Sequence, residues 1–370
     1  SSAASDVYKR QVAARHGLTL WVADPRVDQY LGRPADWQVQ LDAALADYAG
    51  HPALGGYFLL DEPDAARFAD LAPVVAHLRR HDPTHLPYIN LMPPYLSAEA
   101  LGSPSYAEHL EQYLTVVQPP LLSVQYYPFR RSGDRPGFLA TLALVRAAAL
   151  RAEVPWMLIV QAMPHGHYRD PSETELAWQV FTALAFGARG ISYFAYWTPV
   201  QVEYAARWRF RRGLVEDGVA TDNLAEAARV NGTARALATA LDGFTSVAML
   251  DGGRRADAPP AAAPIAGVAG PATVGLFAAA DGTRAALVVN QDYRAAQRVR
   301  VSTSRAVTQR LDPARDQWVL EYGADVSLDL PAGGAALLRW PATARSAAGD
   351  ARRAPLPAEG DLARLGPDAL

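Results

Sequence analysis

The sequence predicts an α/β fold: a (β/α)8 TIM barrel, truncated before its third strand, followed by a C-terminal antiparallel β-sandwich domain. Three observations lead there. Over the first two thirds of the 370 residues, short apolar runs alternate with alanine-rich amphipathic runs, the pattern of parallel strands joined by crossover helices. Successive strands begin about 31 to 37 residues apart, close to one eighth of a barrel of about 250 residues. Beyond residue 243 the pattern changes to short alternating runs punctuated by glycine, proline and aspartate, which reads as antiparallel sheet.

Six strand and helix units follow in order. The first strand is 19–24, ending in Asp24, and the first helix 37–48. The second strand, 56–61, is apolar from Tyr57 to Leu60, as expected of a strand covered on both faces. Pro63 stops it and suits the first turn of the next helix, 65–81. Strand 87–91 carries Tyr88 and Asn90 on one face, and helix 106–117 follows. Strand 121–127 carries Ser123, Gln125 and Tyr127 on one face, before helix 136–151. Strand 156–162 ends in Gln161, and helix 173–186 opens after Pro171 and Ser172 with Glu173 and Glu175 as first-turn carboxylates. Strand 191–197 ends in Tyr196 and Trp197, and helix 223–241 closes the series. A doubly wound sheet would normally show a glycine-rich phosphate turn after its first strand, and none is present. The sandwich strands are 245–250, 273–277, 284–290, 298–302, 317–321 and 335–340. Residues 251–271 read as a loop too poor in large apolar side chains to pack. The expected domains are therefore 12–243 and 244–341, with a disordered tail at 342–370.

Residues 1–11 stand apart. They hold Lys9, the only lysine in a chain that otherwise uses arginine, and they resemble translated sequencing-adaptor read-through in metagenomic assemblies. On that reading the natural N-terminus is missing. Localisation is then nearly open, with a periplasmic or secreted protein slightly favoured over a cytoplasmic one. The net charge of -3 gives no reason to expect nucleic acid or an anionic membrane as partner. The absence of cysteine excludes disulfides, thiolate catalysis and zinc-thiolate sites. No apolar run approaches the roughly 20 residues that cross a bilayer. The oligomeric state is left open.

The chemistry concentrates at strand ends. Asp61 and Glu62 lie at a strand-to-helix corner, where barrel enzymes keep their active sites. Helix capping explains one carboxylate there better than two. Strand parity brings Tyr88, Asn90, Gln125 and Tyr127 toward the barrel centre, with Gln161 at the next strand end. One of these polar residues alone reads as a satisfied core residue, the preferred reading for Ser123. Three amides, Asn90, Gln125 and Gln161, at successive strand ends are costly to bury without a ligand or each other. Tyr196 and Trp197 suit stacking on a pyranose face. His165 and His167 in the loop 163–170 lack further metal ligands nearby, so hydrogen bonding of His165 to substrate is the better reading. The arginines at 207, 209, 211 and 212 read as a solvated or salt-bridged face rather than a nucleic-acid patch.

Residues 16–231 resemble the catalytic barrels of clan A glycoside hydrolases, in particular relatives of the family 42 β-galactosidases. The resemblance rests on Gly56-Tyr57-Phe58-Leu59-Leu60-Asp61-Glu62-Pro63, Tyr88-Ile89-Asn90-Leu91, Ser123-Val124-Gln125-Tyr126-Tyr127-Pro128 and Gly190-Ile191-Ser192-Tyr193-Phe194-Ala195-Tyr196-Trp197. It implies an acid/base glutamate at Glu62, with Asp61 standing where the clan normally has asparagine. The clan's nucleophile is a glutamate ending strand seven, and here that strand ends in Gln161, so no nucleophile is carried over. Asp61 and Asp24 are the candidates for a second carboxylate, with Glu173 and Glu175 better explained by helix capping. The expected function is hydrolysis of O-glycosidic bonds in an oligo- or polysaccharide by a bacterial protein. The alternatives are a non-catalytic glycan-binding barrel and an enzyme of another class, such as a polysaccharide lyase or transglycosidase. A carbohydrate is the expected partner, and no metal or organic cofactor is implied.

Overall fold

A computed structural model of the chain describes residues 3–28, 36–200, 208–252 and 264–342. The expected tail from 343 onward, and Arg207 of the arginine run, lie outside the described residues. Residues 3–11 of the segment read as adaptor-derived belong to a helix, α1, Ala3–Arg15. The chain divides into two compact units, residues 1–125 with 147–157, and residues 126–146 with 158–370.

Six strands run in sequential order through one sheet: β1 (Leu20–Val22), β2 (Leu54–Asp61), β3 (Leu86–Asn90), β4 (Leu122–Tyr126), β5 (Trp156–Gln161) and β6 (Gly190–Phe194). They form a parallel half-barrel, six strands where a closed barrel has eight. The helices between them are α2 (Trp37–Tyr48), α3 (Phe68–His81), α4 (Tyr106–Val116), α5 (Phe138–Ala152) and α6 (Glu173–Ala185), with α7 (Asp222–Ala240) after β6. Two expectations shift. The helix expected from residue 65 starts as a 3-10 turn, Ala65–Arg67, because the chain must first turn away from the end of β2. The last strand ends at Phe194, so Tyr196 and Trp197 stand beyond it.

In the first unit β2 departs from an apolar run covered equally on both faces: the face of Tyr57 and Leu59 is closed, while Phe58 and Leu60 on the other are half-buried. Tyr57 and Leu59 are fully buried, and the Tyr57 hydroxyl donates to Asp82 Oδ2 at 2.7 Å in the loop after α3. A Cβ at Gly56 would lie 2.2 Å from the Leu86 carbonyl oxygen, so glycine is what allows β2 and β3 their close approach. α4 opens on Ser105, whose Oγ accepts the Glu108 N–H at 3.2 Å, a cap that satisfies one orphan donor of the first turn.

In the second unit α6 begins with a full capping box. Ser172 Oγ accepts the Glu175 N–H, and the Glu175 carboxylate accepts the Ser172 N–H, as the first-turn reading of these residues requires. After α7 come β7 (Phe244–Gly252), β8 (Ile265–Ala269), β9 (Ala272–Ala279), β10 (Arg284–Asn290), β11 (Gln297–Thr303), β12 (Val307–Asp312), β13 (Gln317–Tyr322), β14 (Asp325–Leu330) and β15 (Ala335–Trp340). They build a six-stranded antiparallel sheet in the order β7-β9-β10-β15-β12-β13 and a three-stranded one in the order β8-β11-β14. Both sheets feed one apolar core, including Ile265, Val274, Val288, Val299, Val326, Leu328 and Trp340. α6 lies against β9 so closely that a Cβ at Gly275 would be 2.0 Å from the Ala185 carbonyl oxygen.

Three of these strands were not expected. β8 falls inside the segment read as a loop, and it forms because Ile265 is buried and the backbone pairs with β11, a contact that Ala-Gly composition hides. β14 buries Val326, Leu328 and Leu330 in strict alternation, a period of two readable in the sequence. β12 buries only Thr308 and Leu311 and is held by its two partners, β13 and β15. Among the described residues, no helix is long and apolar enough to cross a membrane.

Candidate active site

The first unit presents a carboxylate corner at the end of β2. Glu62 has a left-handed backbone, φ 51°, unusual for a residue with a side chain, and its N–H is fixed by the Asn90 carbonyl oxygen at 2.8 Å. This turn takes Glu62 out of the strand's alternation. Glu62 is half-buried beside exposed Asp61. Burial first, and the negative charge of Asp61 second, push the Glu62 carboxyl above its ordinary value, while a hydrogen bond from Gln125 Nε2 to Glu62 Oε1 works in the other direction.

A polar chain supports the corner. Asn90 Nδ2 donates to Asp61 Oδ1 at 3.0 Å, Ser123 Oγ donates to Asn90 Oδ1 at 3.3 Å, and Ser123 Oγ is 3.0 Å from the Tyr88 hydroxyl. The residues singled out on β2, β3 and β4 therefore meet within one unit: Asp61, Glu62, Tyr88, Asn90 and Gln125. Ser123, read as a core residue, is the link between Asn90 and Tyr88. Burial, opposed by the Ser123 hydrogen bond and helped by the Asp61 charge, raises the Tyr88 phenol. Trp21 was not anticipated. It stacks on Tyr88 with centroids 3.9 Å apart and remains 38% exposed, which gives the first unit an aromatic surface next to the polar chain. A tryptophan within the strand expected at 19–24 was the available signal.

Asp24, the other candidate carboxylate, is occupied. It is buried, and it accepts from Arg26 Nε at 3.1 Å, Arg26 Nη2 at 2.8 Å, the Arg26 N–H at 2.8 Å and the Tyr48 hydroxyl at 2.7 Å. Burial alone would raise its pKa, but these bonds dominate and hold the carboxyl at about 2. A carboxylate so bound is a permanent anion neutralised by its arginine.

The second unit holds the remaining candidates. Gln161 is fully buried, and its side chain is spent on the backbone. Nε2 donates to the Phe129 carbonyl at 3.0 Å and the Arg169 carbonyl at 2.7 Å, while Oε1 accepts the Phe129 N–H at 3.0 Å. No amide hydrogen is left for a ligand. Its own N–H and carbonyl pair with the Gln179 amide at 2.9 and 3.1 Å. His165 is buried in an aromatic box of Tyr127, Tyr168, Phe194 and Phe210, with Nδ1 3.2 Å from the Met163 carbonyl oxygen. Burial outweighs that bond and lowers the imidazole to about 4, so it is neutral at pH 7. Tyr127 is likewise buried. Tyr196 and Trp197 are 60% and 48% exposed, so they retain open ring faces. Arg212 pairs with Asp170 at 2.8 Å and also takes part in contacts with Glu216 and Asn223, as the salt-bridged reading of that run expects. Glu173 pairs with Arg229 and Glu175 with Arg169, which leaves neither as a free carboxylate.

No protein-family model and no curated protein matches the sequence. Solved structures do match. A family 42 β-galactosidase from G. stearothermophilus, solved as a catalytic mutant, is similar with a TM-score of 0.56 at 7% identity, over 90% of this chain and 90% of that one. A family 27 β-L-arabinopyranosidase from Geobacillus stearothermophilus is similar with a TM-score of 0.47 at 10% identity, over 84% of this chain. This chain spans 62% of that protein's length. A β-galactosidase from the psychrophilic Marinomonas ef1 is similar with a TM-score of 0.46 at 12% identity, over 63% of this chain and 52% of that one. At 7% identity the likeness to the family 42 β-galactosidase is one of fold.

Proposed function

We propose that this protein is a glycoside hydrolase that cleaves O-glycosidic bonds of an oligo- or polysaccharide, with Glu62 as the general acid. The observation that carries the reading is the state of Glu62: a half-buried carboxyl, raised above its ordinary value by burial and by Asp61, on a strained turn at the carboxyl end of a parallel strand. Those are the conditions under which a carboxyl keeps its proton long enough to donate it. The fold of the family 42 β-galactosidase supports the same reading.

In this mechanism Glu62 gives its proton to the glycosidic oxygen as the bond from that oxygen to the anomeric carbon breaks. A water attacks the anomeric carbon from the other face, and Asp61, held by Asn90, takes the water's proton. Asp61 suits the role better than Asp24, which its arginine and tyrosine partners hold as a permanent anion. A single displacement by water inverts the anomeric carbon, and it calls for the two carboxyls to stand roughly 6.5 to 9.5 Å apart around the substrate. Gln125 steadies the Glu62 carboxylate after proton transfer, and the exposed face of Trp21 offers stacking for a sugar ring.

The test is reducing-sugar release from a panel of polysaccharides and aryl glycosides by the native chain and by Glu62→Gln. Release that vanishes in Glu62→Gln supports the reading, and NMR of the first-formed anomer checks inversion. Retained glycan binding without any release by the native chain overturns it in favour of a binding barrel.

A further inference from the structure

One group in the first unit plays no part in this chemistry and has the makings of a metal site. Asp42 on α2 and His77 and His81 on α3 bring a carboxylate oxygen and two imidazole nitrogens within 4.8 Å of one another. His77 and His81 are four residues apart, so one helix face carries both rings. The rings are stacked, with centroids 4.2 Å apart and planes at 20°. Histidines at this spacing supply the helical half of a well-known zinc arrangement. His77 Nε2 is 2.6 Å from Asp42 Oδ1. His77 is buried, and the Trp37 ring meets it edge-on at 5.6 Å, which limits its rotation. Asp42 and His81 are exposed, so an ion has a path in from solvent.

We propose that Asp42, His77 and His81 bind one Zn2+ ion, which fastens α2 to α3. Two imidazoles and one carboxylate suit zinc, whereas magnesium and calcium prefer oxygen ligands throughout. Three protein ligands leave a fourth tetrahedral position for water. Metal–ligand bonds of about 2.0 to 2.1 Å place tetrahedral donor atoms roughly 3.3 Å apart, so the His77 to Asp42 pair, now at 2.6 Å, must open by about 0.7 Å. Asp42 is exposed and free to rotate that far. With the metal at Nε2 in place of the hydrogen bond to Asp42 Oδ1, the neutral His77 ring carries its proton on Nδ1. The role is structural. His81 ends α3, a helix of 14 residues, which at 1.5 Å per residue carries it about 20 Å along the axis from the end that follows the Glu62 corner.

The full chain, stripped with a chelator and dialysed, would be titrated with ZnCl2 alone by calorimetry and followed by its thermal midpoint. The native chain should take up one zinc and melt at a higher temperature with it. His81→Ala and Asp42→Asn should each weaken binding by at least about tenfold and abolish the thermal gain, while His16→Ala keeps both. His81→Asn replaces His81→Ala should alanine disturb the end of the helix. A native chain that takes up no zinc, or uptake that the Asp42 and His81 variants retain, overturns the proposal. Sugar release is not part of this readout, so its outcome is independent of the glycosidase reading.

Discussion

The ends of β2 and β5 make an instructive pair. Both are parallel strands of one sheet, and both finish in polar residues at the edge where barrel enzymes place their chemistry. Glu62 sits on a strained, left-handed turn, half-buried beside a second negative charge. Gln161 is fully buried, and its amide serves the backbone at residues 129 and 169. Strain and a displaced pKa are what functional groups tolerate, and complete satisfaction is what a brace requires. A polar residue at a strand end is thus a candidate, and its hydrogen-bond account decides between the two roles.

The comparison breaks most visibly at Glu62. Glu62→Gln should cut turnover by roughly 10^2- to 10^4-fold, the usual share of a general acid. It should also stabilise the fold modestly at neutral pH. A carboxyl whose folded pKa is raised opposes folding above its unfolded value, so the gain should fade as pH falls below 4.5, a sign that denaturation at two pH values checks. Gln161→Leu should do the reverse. It strands three buried backbone groups at about 1 to 3 kcal/mol each, so chemical denaturation should show a loss of at least about 3 kcal/mol. Loss of turnover in Gln161→Leu at unchanged stability would move Gln161 to the substrate and undo the contrast.

Two smaller effects sharpen it. Asp24 is held at about 2, below its ordinary 3.8, so its contribution to stability is complete above about pH 4 and is lost as pH falls toward 2. Asp24→Asn should flatten that acid limb in a pH series of thermal midpoints. The smallest effect is at Gln125, whose hydrogen bond holds Glu62 down. In Gln125→Leu the alkaline limb of kcat/KM, which reports deprotonation of the acid, should move to higher pH.

Much of the half-barrel was legible because its signals are local. The helix expected at 37–48 is observed at Trp37–Tyr48, and the strand expected at 156–162 at Trp156–Gln161. Apolar periodicity and breaker residues act over one element at a time. β8 was missed for the complementary reason: its Ala-Gly sequence has little pattern, and only pairing with β11 makes it a strand. Of the site, strand parity places Tyr88 with Asn90, and Ser123 with Gln125, on one face of each strand, whereas the hydrogen bonds that join Asp61, Asn90 and Ser123 run between strands and are not written in any one of them.

By itself the sequence determined the order of strands and helices in the half-barrel and the carboxylate corner after β2, because both follow from residues adjacent along the chain. Tertiary structure alone decided which polar residues are spent. Gln161 meets partners from residues 129, 169 and 179, Asp24 is closed by Tyr48 from α2, and Asp42 meets histidines from α3. Hydrogen-bond satisfaction is a property of space rather than of sequence separation, so no local pattern announces it.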